Sequence, residues 1–448
     1  MNNITIGYGI GRNYNRLKKK FAEMGISFDY LADSKWQDTK DLFIDDIPVI
    51  SFEKLKELDG VEIIVLVDNP TVYKTVMESF PNAIVSHFNY FYLKWCYRKA
   101  LSVIDKYSIQ IPNKKGIHYF VFDSHLGDVM GLLPYVGLLR NFRNNPASYF
   151  ADLSNRLRSI YCKKIDPVNR IIAITRKSNV GVCKLCPDID EIIEVTNDEL
   201  EALQMYACYE RNLLYLYPDP HHSFPNHLDF HVVLREDYCL YSYWCYGLRN
   251  SEMSREYINN YEYKIPGNAK KKAEEFLVNR KLDPGKLAVI CPRAQSTSEL
   301  SDSFWLNVID FLQNEGFYVM ENTGPGEISS YSIDTVSESV DVMCALGEAG
   351  AVFTGVQSGL LDVFKRFPES IRTISIYAVE TLYDVLVKKV VSGDNDKLIF
   401  RNQKYSVIFA DDNSRTEYKI PDTSPNAIIS LADEEQIIRQ LKEEILWK

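Results

Sequence analysis

The chain has 448 residues, 46% hydrophobic and 25% charged, the balance of an ordinary folded protein; at about 100–200 residues per domain it holds two to four domains. Its net charge is −10 with no basic block, so no nucleic-acid partner is expected, although one Arg and a helix end would suffice for a nucleotide. No apolar run approaches the ~18 residues of a membrane span, MNNITI carries no charged-then-apolar leader, and nine scattered Cys read as reduced thiols, so a cytoplasmic location is expected.

Residues 1–112 alternate between strand and helix patterns. Residues 4–6 read as a buried strand, and Tyr14, Leu17, Phe21 and Met24 follow at helical spacing. Strands are expected at 27–31 and 62–67, with a helix after Pro70. Residues 88–98 read as an aromatic-rich helix that joins domains rather than lying on a membrane. GYGIG at 7–11, with Asp33 downstream, evokes a dinucleotide fingerprint, but the spacing is G-x-G-x-G followed by Arg12, so nicotinamide binding is not expected. Residues 111–116 read as a linker.

The second segment, 113–266, opens with a strand at 117–122. A glycine-containing turn and a helix carrying Leu132, Leu133, Val136 and Leu139 follow. Strands are expected at 170–174, 191–195 and 213–216, and residues 220–265 are rich in Tyr and His without clear period. The third segment, 267–448, begins with a helix holding Ala269, Ala273, Phe276 and Leu277. Then come a strand at 287–291, a helix at 303–315 stopped by Gly316, a strand at 317–320 and a helix at 337–346. Strands at 351–354 and 371–376 and a closing helix with Ile437, Leu441 and Ile445 complete the pattern. The fold class is therefore α/β: two Rossmann-like domains facing across a cleft, plus a small N-terminal α/β domain. Ligands of such sheets bind at the C-terminal ends of the strands.

Four strand-end loops carry the candidate chemistry. In FDSHLGDVMGLLP (122–134), Asp128 is either an ordinary first-turn carboxylate or a general base, with His125 beside it. In CPRAQSTSELSDSFW (291–305), Arg293 offers a planar fork suited to phosphate, Gln295 lies two residues on, and Ser301, Asp302 or Ser303 can cap the next helix. In ENTGPGE (321–327), Asn322, Thr323, Gly324 and Glu327 form a glycine-bearing loop that suits either a plain turn or close approach of a nucleotide. In GVQSGLLD (355–362), Ser358 caps a helix whose first N–H groups, at Ser358, Gly359 and Leu360, suit either a capped turn or an anion cradle.

Other patterns are weaker. Cys183 and Cys186 form a single CxxC pair, half of a zinc site, and read as plain thiols. His221, His222, His227 and His231 lack an accompanying carboxylate pattern and are expected in a polar acceptor cleft or loop. Asp188 and Asp190 spell a metal-binding Asp-x-Asp but also lead directly into a strand, so no metal is assigned.

Taken together, LGDVMGLLP (126–134), PDIDEI (187–192), the 289–305 loop and GVQSGLLD (355–362) resemble, in order and spacing, the heptosyltransferase-like glycosyltransferases of family nine, which have a GT-B fold. The resemblance covers about residues 115–448. It implies an inverting, metal-independent sugar transfer from a nucleotide-sugar co-substrate, without further cofactor, to a glycan, glycolipid or glycoprotein hydroxyl. It implies Asp128 as the base, with His125 adjacent, and Arg293, Gln295, Gln357, Ser358, Gly359 and Asp362 around the donor diphosphate. Asn322, Thr323, Gly324 and Glu327 would meet the nucleotide, and His221 and His222 the acceptor. Gln357 stands where the family has Asp, Asp362 where it has His, and no Lys precedes Trp305. These departures keep two alternatives open, a related pyruvyl or polyol-phosphate transferase and a degenerate transferase acting as a scaffold. Residues 1–112 lie outside this resemblance and look like the small Rossmann-type domain that precedes some sugar acyltransferases. Docking or homo-oligomerisation is the role expected of them.

Overall fold

The computed structural model describes residues 4–36, 42–109, 116–144 except 124, 169–207, 213–215, 260–294, 300–378 except 357, 365, 368 and 369, 405–410, 431–432, and 438, 439, 441, 442 and 445. The linker reading at 111–116 and the His-rich stretch therefore fall almost wholly outside the described residues. The chain divides into two compact units. One comprises Met1–Ile109 with Glu201–Tyr206, and the other comprises Gln110–Leu200 with Ala207–Lys448.

The smaller unit holds a six-stranded sheet. Its strands are β1 (Ile4–Tyr8), β2 (Tyr30–Ala32), β3 (Phe43–Ile44), β4 (Ile47–Ile50), β5 (Val61–Val65) and β6 (Ile84–His87), in the order β3-β4-β2-β1-β5-β6. All pairs are parallel except the hairpin β3–β4. Alternation along the strands explains its two cores. Ile63 and Val65 face one side with Leu55, Val76 and Phe80, while Ile64 and Leu66 face the other with Tyr14, Leu17, Phe21 and Phe88. Helices α1 (Arg12–Glu23) and α4 (Phe88–Lys106) cover that second side, and α2 (Phe52–Lys56) and α3 (Pro70–Ser79) the first. In the GYGIG loop, Gly9 has φ +102°, and an added Cβ would lie 2.3 Å from Val67 Cγ2. Asp33 accepts from the Ile10 and Lys35 amides at 3.0 and 3.1 Å, so its carboxylate holds this loop together.

The larger unit holds two sheets in which every described pair is parallel. The first runs β10-β7-β8-β9, from β7 (Ile117–Phe122), β8 (Arg170–Arg176), β9 (Glu191–Val195) and β10 (Leu213–Tyr215). The second runs β13-β12-β11-β14-β15-β16-β17, from β11 (Leu287–Cys291), β12 (Tyr318–Asn322), β13 (Asp334–Val336), β14 (Val352–Val356), β15 (Arg372–Ala378), β16 (Tyr405–Ala410) and β17 (Leu431–Ala432). Such strands, covered on both faces, read as mainly apolar runs, as LAVIC does and as VFTGV does apart from Thr354.

The helices of the larger unit bind the two sheets together. They are α5 (Leu126–Asn144), α6 (Lys177–Cys183), α8 (Gly267–Arg280), α10 (Val340–Glu348) and α11 (Gly359–Phe364); α9 (Asp302–Asn314) covers the second sheet's other face, and α7 (Asn197–Ala207) has Glu201–Tyr206 in the smaller unit. One continuous core takes in Phe120, Phe122, Leu132 and Val182 from the first sheet's side and Val289, Met343, Phe353 and Phe364 from the second's. The other face of the second sheet packs Ala288, Ile290 and Ile374 on Phe304, Trp305 and Val308 of α9 and on Leu441 and Ile445. The expected pair of facing sheets is thus joined through its helices by a shared apolar core.

Candidate functional site

The first loop is built from the end of β7. Its last carbonyls are tied down by the neighbouring strand: Thr175 Oγ1 donates to Phe122 O at 2.8 Å, and Arg176 Nη2 to Asp123 O at 3.0 Å. Helix α5 then starts, with His125 in the N-cap place, exposed, its carbonyl accepting from Val129 N at 2.9 Å. Asp128 is the third residue of this helix. Pro134 sits inside α5, where its missing N–H would leave the Met130 carbonyl unpaired. Tyr263 supplies that bond, its hydroxyl donating to Met130 O at 3.0 Å. Burial pushes the Tyr263 phenol up to about 12, which keeps it a neutral donor.

The second loop follows β14. Gly355 pairs with Cys291 of β11, and an added Cβ would lie 2.3 Å from the Cys291 carbonyl oxygen. The first glycine of GVQSG is therefore a packing requirement between two buried strands. Ser358 holds the N-cap place of α11, its carbonyl accepting from Asp362 N at 3.0 Å. Gly359 meets the first loop directly. A Cβ on Gly359 would lie 3.0 Å from Gly127 N and 3.2 Å from Leu126 Cβ; one on Gly127 would lie 3.0 Å from Asp362 Oδ2 and 3.4 Å from Gly359 Cα. Two helix starts thus approach closely, and a side chain at either glycine would push its neighbours back by a few tenths of an ångström. Both are positive dipole ends, and the Asp362 carboxylate lies against the first turn of α5, where a negative charge is favoured.

The third and fourth loops leave the adjacent strands β11 and β12 at the same edge. Arg293 is exposed and donates through Nη2 to Ser330 Oγ. The loop after β12 closes on itself: Glu327 Oε2 accepts from Gly324 N at 2.9 Å, and Glu327 N donates to Gly324 O at 3.1 Å. Gly326 turns the chain at φ +79°. Thr323 N donates to Val336 O at 3.1 Å, while its hydroxyl is buried with no partner among the described residues. Asn322 is the last residue of β12.

The structure thus brings Gly127, and with it the turn carrying Asp128, to Gly359 and Asp362. It places Arg293 and residues 322–327 on the neighbouring strand ends. Gln295, Gln357, His221 and His222 lie outside the described residues. The remaining sequence signals are structural. Asp190 accepts from Arg140 and from Ile171 N, and Asp188 accepts from Tyr261 at 2.8 Å. Cys183 and Cys186 are free and buried; burial raises both thiols, and Cys186 Sγ lies 3.0 Å from Tyr261 Oη. Sequence reasoning passes over Ser330, which accepts from Arg293, and over Glu321 and Ser329, which hydrogen-bond to the same turn. The available signal is a charged residue directly after the apolar run Val319-Met320 within a strand.

No protein-family model matches the chain, and no curated protein sequence does. Several solved structures share its outline. A glycosyl transferase family 9 protein from Veillonella parvula is 13% identical, with a TM-score of 0.43, over 75% of this chain and 99% of that one. The Escherichia coli ADP-heptose LPS heptosyltransferase II is 13% identical, with a TM-score of 0.40, over 74% of this chain and 98% of that one. The E. coli heptosyltransferase WaaC with ADP-2-deoxy-2-fluoro heptose is 12% identical, with a TM-score of 0.36, over 73% of this chain and 99% of that one.

Proposed function

We propose that the chain is an inverting, metal-independent glycosyltransferase that moves a sugar from a nucleotide-sugar donor to a hydroxyl of a glycan, glycolipid or glycoprotein acceptor. The observation that carries this reading is the backbone contact between Gly127 and Gly359, which sets the Asp128 turn of one sheet beside the Ser358 turn of the other. Such a transfer needs a base at the acceptor hydroxyl and donors at the leaving diphosphate. Asp128 serves as the base. Arg293 and the N–H groups at the start of α11 serve the diphosphate, and Asn322, Thr323 and Gly324 the nucleotide. The Asp362 carboxylate stands where the related enzymes have His, so it offsets helix charge on the acceptor side, and Arg293 takes the larger share of the phosphate.

A nucleoside diphosphate panel followed by thermal unfolding of the full chain tests the reading. A ligand present at about 100 times its Kd stabilises the native state by about 2.7 kcal/mol. At least one diphosphate should raise Tm, and the matching nucleoside alone should raise it less. No shift with any diphosphate at millimolar concentration would remove the donor site.

A further inference from the structure

The end of β12 carries a carboxylate with no role so far. Glu321 is 2% exposed. Its Oε2 accepts from Ser329 Oγ at 2.6 Å and from Ser330 N at 3.0 Å. Ser330 Oγ accepts in turn from the Arg293 guanidinium. Ser329 Oγ also accepts from Tyr331 N at 3.0 Å, and the Tyr331 hydroxyl donates to Asp302 Oδ1 at 3.3 Å, so the turn is held at several points. Cys291, whose thiol burial raises with a smaller contribution from the Glu321 carboxylate, closes the adjacent strand β11.

A buried carboxylate is costly unless hydrogen-bonded, and among the described residues this one binds the serine turn rather than a cation directly. The intervening serine matters. A direct ion pair would neutralise the guanidinium, whereas a hydroxyl occupies one of its five N–H groups and leaves its charge and other donors for a ligand. An exposed Arg otherwise carries rotamer freedom that ligand binding must remove. Resting on the glycosyltransferase reading, we propose that Glu321 is a positioning residue that acts through Ser330 to preset Arg293 for the diphosphate of the donor.

Calorimetry with the best-binding nucleoside diphosphate tests this on the full-length wild type, Arg293→Ala, Glu321→Gln, Ser330→Ala, Ser330→Thr and the Glu321→Gln/Arg293→Ala pair. Removing the guanidinium should weaken binding about 10- to 100-fold, the range of a charged hydrogen bond. Glu321→Gln and Ser330→Ala should each weaken it about three- to ten-fold, as a loosened Arg implies. Ser330→Thr should bind like wild type. In the Arg293→Ala background, Glu321→Gln should cost nothing further, because its effect passes through Arg293. Equal losses in both backgrounds, or wild-type affinity in both Glu321→Gln and Ser330→Ala, would overturn the relay while leaving the donor site standing. A wild type that binds no diphosphate would remove the donor reading and the relay together. Should Glu321→Gln fail to fold, the exposed Ser330 pair carries the same test.

Discussion

Gly355→Ala adds one methyl group where the larger unit has no room for it. The new Cβ would lie 2.3 Å from the Cys291 carbonyl oxygen, 2.6 Å from its Cβ and 2.8 Å from its carbonyl carbon, against 3.4 Å for an ordinary contact. These obstacles are mostly backbone, so no side-chain rotation relieves them. β14 also lies between β11 and β15, so moving it away from one neighbour disturbs its pairing with the other. Overpacking of a well-packed core costs about 1–3 kcal/mol, and a backbone obstacle puts this case at the upper end. Replacing Gly in a strand returns about 0.5–1 kcal/mol, leaving a net loss of about 2 kcal/mol. Urea unfolding with linear extrapolation measures it. Gly267→Ala is the control, because nothing lies within 4 Å of its added Cβ at the first residue of α8. That variant should hold its midpoint or gain slightly. Equal midpoints for the two variants would refute the close β11–β14 approach and, with it, the placement of the Ser358 turn at the edge of this sheet.

Two further outcomes concern the buried thiols and the turn beside Arg293. Native protein at pH 8 should leave Cys183, Cys186, Cys291 and Cys344 unlabelled by iodoacetamide, because burial raises each thiol; mass spectrometry after brief labelling reads this directly. Cys291 is held at about 12 against an ordinary 9.0, and Tyr331 at about 12 against 10.0, chiefly by burial. A raised folded-state pKa gives stability that is present below the ordinary value and lost as pH rises through the folded one. Stability should therefore fall between about pH 9 and 12, and Cys291→Ala should flatten the lower part of that fall. An unchanged pH profile in that variant would contradict the burial of Cys291.

Much of the fold is legible because both faces of its central strands are covered. LAVIC is apolar throughout and VFTGV apart from Thr354, and helix α1 repeats Tyr14, Leu17 and Phe21 at its buried face. Short elements are harder to read. The β3–β4 hairpin turns on Asp45 and Asp46 at φ 51° and 62°, with no glycine to announce it, and its hold comes from Tyr14 and Lys18 of α1, which donate to Asp45. Helix α7 is announced by a capping box that is easily passed over: Glu199 Oε2 accepts from Thr196 N at 2.8 Å, and Thr196 Oγ1 from Glu199 N at 3.3 Å.

The candidate site is legible in its parts rather than in its joins. The loops at Asp128, Arg293, Asn322 and Ser358 stand out in sequence because each follows a buried strand. What the glycines do does not stand out. Gly355 serves a neighbouring strand, whereas Gly127 and Gly359 serve each other across the chain, and no local pattern separates these duties. Glu321 is invisible for the same reason: its importance comes from burial and from Ser330, which lies in a different turn.

Nucleoside diphosphate release from a panel of nucleotide sugars, measured for wild type and Asp128→Asn, tests directly whether the chain is a glycosyltransferase with Asp128 as its base. Wild type should turn over at least one donor, faster when its acceptor is supplied. Asp128→Asn should lose at least about 100-fold in rate, the scale of general-base catalysis, and still bind the diphosphate. Full turnover by Asp128→Asn, or a wild type that binds and consumes no nucleotide sugar, would contradict this reading.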